Sequence, residues 1–130
     1  MHTNIWAQML TYRFLTNVDF DEHLKKLQAI YRHKCHLMLG GLEKELPDFI
    51  SFTHPQGGLF IWATLPDKYD MNAFCKGAVE RKVAVVPGNA FCSDESAVSH
   101  SFRLNFSTPT DEQIEKGVKI LGAAAKELLK

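Results

Sequence analysis

The apolar pattern of the chain starts at helical spacing, changes to short alternating runs, and ends at helical spacing again. Ile5, Trp6, Met9, Leu10 and Phe14 fall within about one helical face behind the cap-forming types Thr3 and Asn4, which predicts a short helix to about Leu15. A second helix starts at Asp19, whose carboxylate can accept from first-turn amides while Glu22 reaches back as in a capping box. Leu24, Leu27, Ile30, Tyr31, Leu37 and Met38 continue its stripe, and Pro47 limits its far end. Gly40 and Gly41 weaken that helix by about 1 kcal/mol each relative to alanine, so a kink or a close backbone contact is expected there.

Beyond Pro47 the runs are short and rich in β-branched and aromatic residues. Phe49–Thr53 and Leu59–Thr64, separated by Pro55-Gln56-Gly57-Gly58, predict two strands around a tight loop. Asp70 caps a predicted helix of about ten residues carrying Met71, Phe74, Ala78 and Val79, and Val83–Val86 then forms a strand ending at Pro87-Gly88. Ser101–Ser107 alternates strictly: Phe102, Leu104 and Phe106 share one face, and Arg103, Asn105 and Ser107 the other. Thr110 and Gln113 make a second capping-box pattern, and Ile114, Val118, Leu121, Ala125 and Leu128 predict a final helix of about 18 residues. The fold class expected is therefore α+β: one domain over residues 1–130, with a small mixed or antiparallel sheet covered on one face by helices.

With 130 residues, 45% of them hydrophobic and 23% charged, the chain has the means to bury a single core. Fifteen basic residues balance fifteen acidic ones, so no net field draws the domain to nucleic acid. No apolar stretch approaches the roughly 18 to 20 residues of a spanning helix, so no membrane contact is expected. Cys35, Cys75 and Cys92 are odd in number and widely spaced, which predicts reduced thiols and, with no basic-then-apolar N-terminal pattern, a cytoplasmic protein.

Arg103 is the strongest candidate for chemistry. A guanidinium on the polar face of a strand can bind a carboxylate through two parallel charge-assisted hydrogen bonds; the same residue could equally be a surface arginine that is solvated or paired with a glutamate. Gly57 and Gly58 would let backbone amides approach a bound group, or simply make a hairpin turn, and Pro87-Gly88 closes a strand where ligand-facing backbone is common. No phosphate-loop pattern is present. His33 and His36, one helical turn apart and with Cys35 between them, would need remote ligands such as His54, Cys92 or His100 to hold a metal, and a basic helix face is the simpler reading, so no metal is expected. Ser99-His100-Ser101 is set aside as a hydrolase motif because neighbours in a strand point to opposite faces.

Pro55-Gln56-Gly57-Gly58-Leu59-Phe60-Ile61-Trp62, Val83–Phe91 and Phe102-Arg103-Leu104-Asn105-Phe106-Ser107, in this order and spacing, resemble the closing third of class I/II aminotransferases of fold type I. The resemblance spans nearly all of the chain. It is nearest to the branch holding 2-aminoadipate aminotransferases and the aminotransferase-like halves of bacterial transcription regulators. It implies the C-terminal small domain of a pyridoxal-phosphate-dependent enzyme that moves an amino group between an amino acid and a 2-oxo acid. By the same resemblance Arg103 grips the substrate α-carboxylate, Gly57, Gly58, Pro87 and Gly88 border the site mouth, and the parent is a homodimer.

In that family the Schiff-base lysine, the acidic partner of the pyridine nitrogen and the phosphate-binding groups all lie upstream. No Ser-x-x-Lys of the family type occurs here. The chain is thus expected to lack the cofactor-binding large domain, to carry no catalytic or cofactor-binding residue of its own, and to be inactive alone, with pyridoxal phosphate held only by the intact parent. Ile5, Trp6, Met9, Leu10 and Phe14, left uncovered, would favour self-association. Two other readings stand beside this one: the effector-sensing end of an aminotransferase-like transcription regulator, and a stand-alone binding module on this fold.

Overall fold

A computed structural model describes residues 3–94 and 97–130. The chain divides into two compact units between Arg32 and His33, and the second helix runs through the division.

In the first unit, α1 (Ile5–Asn17) begins where Asn4 accepts a hydrogen bond from the Ala7 amide at 3.2 Å. The helix runs two residues past the expected Leu15 and closes on the Val18 amide, which bonds the Phe14 carbonyl. Phe14 meets Phe20 and His23 edge-on at centroid distances of 6.3 and 5.5 Å. Helix α2 (Phe20–Glu45) starts at Asp19 as expected, with the Glu22 amide donating to Asp19 Oδ1 at 2.9 Å, but the Glu22 side chain does not reach back to complete the expected capping box. The Glu22 carboxylate pairs forward with Lys26 at 2.8 Å.

The second unit holds the sheet. Its strands are β1 (Ser51–Phe52), β2 (Phe60–Thr64), β3 (Val86–Pro87) and β4 (Ser101–Asn105), all antiparallel, in the order β1-β2-β4-β3. All four strands are shorter than the expected runs Phe49–Thr53, Leu59–Thr64, Val83–Val86 and Ser101–Ser107, β1 and β3 most of all. The Ile50 amide turns back to the Pro47 carbonyl, so β1 pairs only from Ser51. Val83 closes on Ala78 instead of on a strand, after Lys82 adopts φ 70°, so β3 pairs only at Val86 and Pro87.

Alternation along β2 and β4 sorts the two sheet faces. Ile61, Ala63, Phe102 and Leu104 are buried, while Phe60 and Asn105 are exposed and Trp62, Thr64, Ser101 and Arg103 are half-buried. Helices cover the buried face. Helix α3 (Met71–Glu80) is capped by Asp70, which accepts from the Ala73 amide at 3.0 Å, and it sets Phe74 against Phe102 at 5.4 Å. Helix α4 (Asp111–Leu128) begins with the reciprocal Thr110–Gln113 capping box and adds Ile114, Val118 and Leu121 to the core, beside Met38 and Leu42 from α2. Arg81 and Glu127 tie α3 to α4 at 2.9 Å.

The glycine pair in α2 resolves toward the close-contact expectation. A methyl group on Gly41 would sit 3.1 Å from Val118 of α4, whereas one on Gly40 would meet nothing within 4 Å. Lys34 fixes the entry to α4 by donating to the Ser107 and Pro109 carbonyls at 3.1 and 2.5 Å.

Candidate functional site

Arg103 sits at the middle of β4, an interior strand, with Trp62 of β2 opposite it on one side and Val86 of β3 on the other. Its side chain leaves the sheet on the face away from the helices, because Phe102 and Leu104 on either side of it are in the core. Two rings meet it there. The guanidinium carbon lies 4.0 Å from the centroid of Phe60 and 4.6 Å from that of Phe91, and Phe91 in turn packs edge-on against Trp62 at 5.6 Å. A cation at such distances gains roughly 0.5 to 1 kcal/mol where the ring is partly exposed.

Arg103 Nε is buried and has no hydrogen-bond partner, and no carboxylate among the described residues forms an ion pair with the guanidinium. Leaving a buried donor unmet costs about 1–3 kcal/mol. The arginine therefore has a donor that no group among the described residues satisfies. Below it on the same face, Thr64 Oγ1 and Ser101 Oγ are hydrogen-bonded at 2.9 Å, while Asn105 is committed to its own turn through the Ser107 amide and hydroxyl at 2.7 and 2.8 Å.

The four loop residues singled out from the sequence divide. Gly57 and Gly58 lie in the β1–β2 connection just ahead of Phe60; a Cβ on either would meet no protein atom within 4 Å, and Gly58 has φ 82°. Pro87 pairs with Phe102 and so occupies a core-facing register position. Gly88 opens a 3-10 turn (Gly88–Phe91) that swings Phe91 toward Arg103, and a Cβ there would stand 2.6 Å from the Ser101 carbonyl oxygen and 2.3 Å from Ser99 Oγ. Only glycine permits that approach.

Of the other clusters, His100 also carries a buried ring nitrogen, Nδ1, without a hydrogen-bond partner among the described residues. His33 Nε2 contacts Asp111 Oδ2 at 2.8 Å, and Cys35 lies in the core, where burial raises its thiol pKa. Among the described residues no three His, Cys, Asp or Glu side chains are grouped to hold a metal ion. Ser101 is taken up with Thr64 and Ser99, and His100 Nε2 points to Asp67 at 3.9 Å.

Phe60, Phe91 and the Thr64–Ser101 pair were not singled out from the sequence as site residues. For Phe60, Thr64 and Ser101 the signal was present: period-two alternation puts them on the face of Arg103 once β2 and β4 are in register. Phe91 had no such signal, because its position depends on the turn geometry after Pro87.

Helices on one face of an antiparallel sheet, and on the other a ring-flanked arginine with no ion pair among the described residues, define an α+β domain. The chain belongs to the class I and II aminotransferase family, whose model matches residues 5–121. It is 36% identical over 128 residues to aromatic-amino-acid aminotransferase 1 of Thermococcus litoralis, covering 98% of this chain and 30% of that protein. The structure of the α-aminoadipate aminotransferase of Thermus thermophilus, complexed with N-(5'-phosphopyridoxyl)-L-leucine, is similar with a TM-score of 0.88 at 36% identity, over 98% of this chain and 32% of that one. A further relative, the HTH-type transcriptional regulator NorG of Staphylococcus aureus, is 29% identical over 114 residues, 87% of this chain and 25% of that protein. The chain thus spans about a third of the length of the aminotransferases it matches.

The family's cofactor, pyridoxal phosphate, does not fit the residues present on this face. Phe60, Trp62, Thr64, Ser101, Arg103 and Asn105 include no lysine amine to form a Schiff base and no carboxylate to pair a pyridine nitrogen.

Proposed function

We propose that this chain is the small-domain third of a pyridoxal-phosphate-dependent aminotransferase and that Arg103 binds the α-carboxylate of the amino acid or 2-oxo acid substrate. The observation that carries the reading is the unpartnered Nε of a half-buried arginine with no ion pair among the described residues. A carboxylate would pair with the guanidinium in its plane through two parallel N–H···O bonds, which fixes where the α-carbon stands. Orientation is this chain's contribution. The cofactor, bound in the intact protein by residues outside this chain, supplies the electron sink. Gly57, Gly58, Pro87 and Gly88 shape the mouth of the site: the first two leave room at the β1–β2 loop and the last two set the turn that brings Phe91 in.

On this reading the chain alone is inactive and binds no pyridoxal phosphate, and the parent acts as a cytoplasmic homodimer. Arg103→Lys in the intact enzyme tests the assignment. A well-made charged hydrogen bond contributes about 1.5 to 3 kcal/mol, so kcat/KM for amino acids should fall by roughly ten-fold or more with KM raised. Unchanged kinetics would remove Arg103 from the site.

Helix α1 leaves Ile5, Trp6, Met9 and Leu10 more than half exposed, and Phe14 is also exposed, as apolar surface that the rest of a parent would cover. The isolated chain should therefore self-associate with rising concentration in sedimentation; a monomer throughout would contradict this. Similarity to a helix-turn-helix regulator supports a second reading, the effector-sensing end of such a protein. A winged-helix domain encoded ahead of the cofactor domain would favour it.

A further inference from the structure

The two rings beside Arg103 are misplaced as core filling. Phe60 and Phe91 lie 39% and 49% exposed, on the sheet face opposite the helices, and neither contributes to the buried cluster around Phe74 and Phe102. The guanidinium carbon lies over both rings, and Nε is buried without a partner. A free arginine side chain has several rotatable bonds and a strong preference for water, so an arginine whose Nε is dry and unpaired must be held by something else. On this face no carboxylate among the described residues does so.

We propose that Phe60 and Phe91 are the positioning residues of Arg103: their rings hold the guanidinium by cation–π contact and keep water off Nε before any ligand arrives. This deepens, and rests on, the carboxylate-binding reading above. The rings come from independent parts of the chain. Phe60 is fixed by the β2–β4 register opposite Asn105, and Phe91 by the turn that Gly88 allows and by its edge contact with Trp62. Fixing the side chain in advance removes ordering that a ligand would otherwise have to impose, so affinity rises without any contact between ring and ligand.

Nitrogen-edited NMR of the arginine Nε–Hε groups in the full chain tests this directly, with the Arg103 signal assigned by its loss in Arg103→Lys. The expected wild-type signal is displaced upfield by the rings and exchanges slowly with water. Phe60→Leu and Phe91→Leu should each move it toward the exposed arginines, while Phe60→Tyr, which keeps the ring, should restore it. Acetate, the carboxylate probe, should shift the same signal saturably and bind roughly two- to five-fold more weakly in each leucine variant. A wild-type signal already at the position and exchange rate of exposed arginines would overturn the proposal with no variant needed, as would leucine variants that leave it unmoved. A signal that responds to the leucine substitutions but not to acetate would uphold the positioning role and sink the carboxylate reading instead.

Discussion

Replacing Gly122 and Gly117 by alanine, one at a time, should move stability in opposite directions although both lie inside α4. Glycine in a helix interior is worse than alanine by about 0.5–1 kcal/mol, so propensity alone favours both changes. Packing separates them. A Cβ on Gly122 would stand 2.6 Å from the Glu45 carbonyl oxygen and 2.9 Å from its carbonyl carbon, 0.8 and 0.5 Å inside the 3.4 Å at which ordinary contact begins. The obstacle is backbone at the end of α2, which cannot rotate aside as a side-chain tip can. Overpacking of this kind costs about 1–3 kcal/mol and outweighs the propensity gain. A Cβ on Gly117 meets nothing within 4 Å, so the gain there, about 0.4–1 kcal/mol, is kept. With a urea slope of about 1–3 kcal/mol per molar, the two unfolding midpoints should separate by about 1 M around the wild type, with slopes unchanged. A Gly122→Ala chain as stable as Gly117→Ala would refute the backbone-to-backbone approach of α4 on α2.

Thr110→Ala removes the oxygen that accepts from the Gln113 amide and should cost about 0.5–2 kcal/mol in the same assay, while Thr110→Ser should cost little. Cys75 is buried against Met71 and burial pushes its thiol up to about 11, from an ordinary 9.0. The folded chain thus holds this proton more tightly than the unfolded one, so the contribution is complete below pH 9.0 and is lost as pH rises toward about 11. Cys75→Ala should flatten that alkaline slope in denaturation curves; an equal slope in both chains would assign it to other groups.

Alternation and capping carried much of the fold. Strict period two in Ser101–Asn105 put Arg103 opposite the core, and Asp70, Thr110 and Gln113 marked helix starts that the structure reproduces residue for residue. The unread features depend on contacts between distant segments. Nothing local tells that Gly41 and Gly122 are contact points between helices while Gly40 and Gly117 are open, since all four are helical glycines. The shortness of β1 and β3 follows from turns at Pro47 and Lys82 that withdraw neighbouring amides from the ladder. At the site, the arginine was legible because strand polarity is a local pattern, and its aromatic flank at Phe91 was not, because a turn delivers it.

The sharpest test of the account compares two substrates in the intact enzyme that carries this segment: an amino acid, and the primary amine with the same side chain but no carboxylate. Arg103→Lys should lower kcat/KM for the amino acid by roughly ten-fold or more and leave the amine almost untouched, so that most of the wild-type preference between them disappears. An equal loss on both substrates, or none on either, would show that Arg103 does not bind the carboxylate.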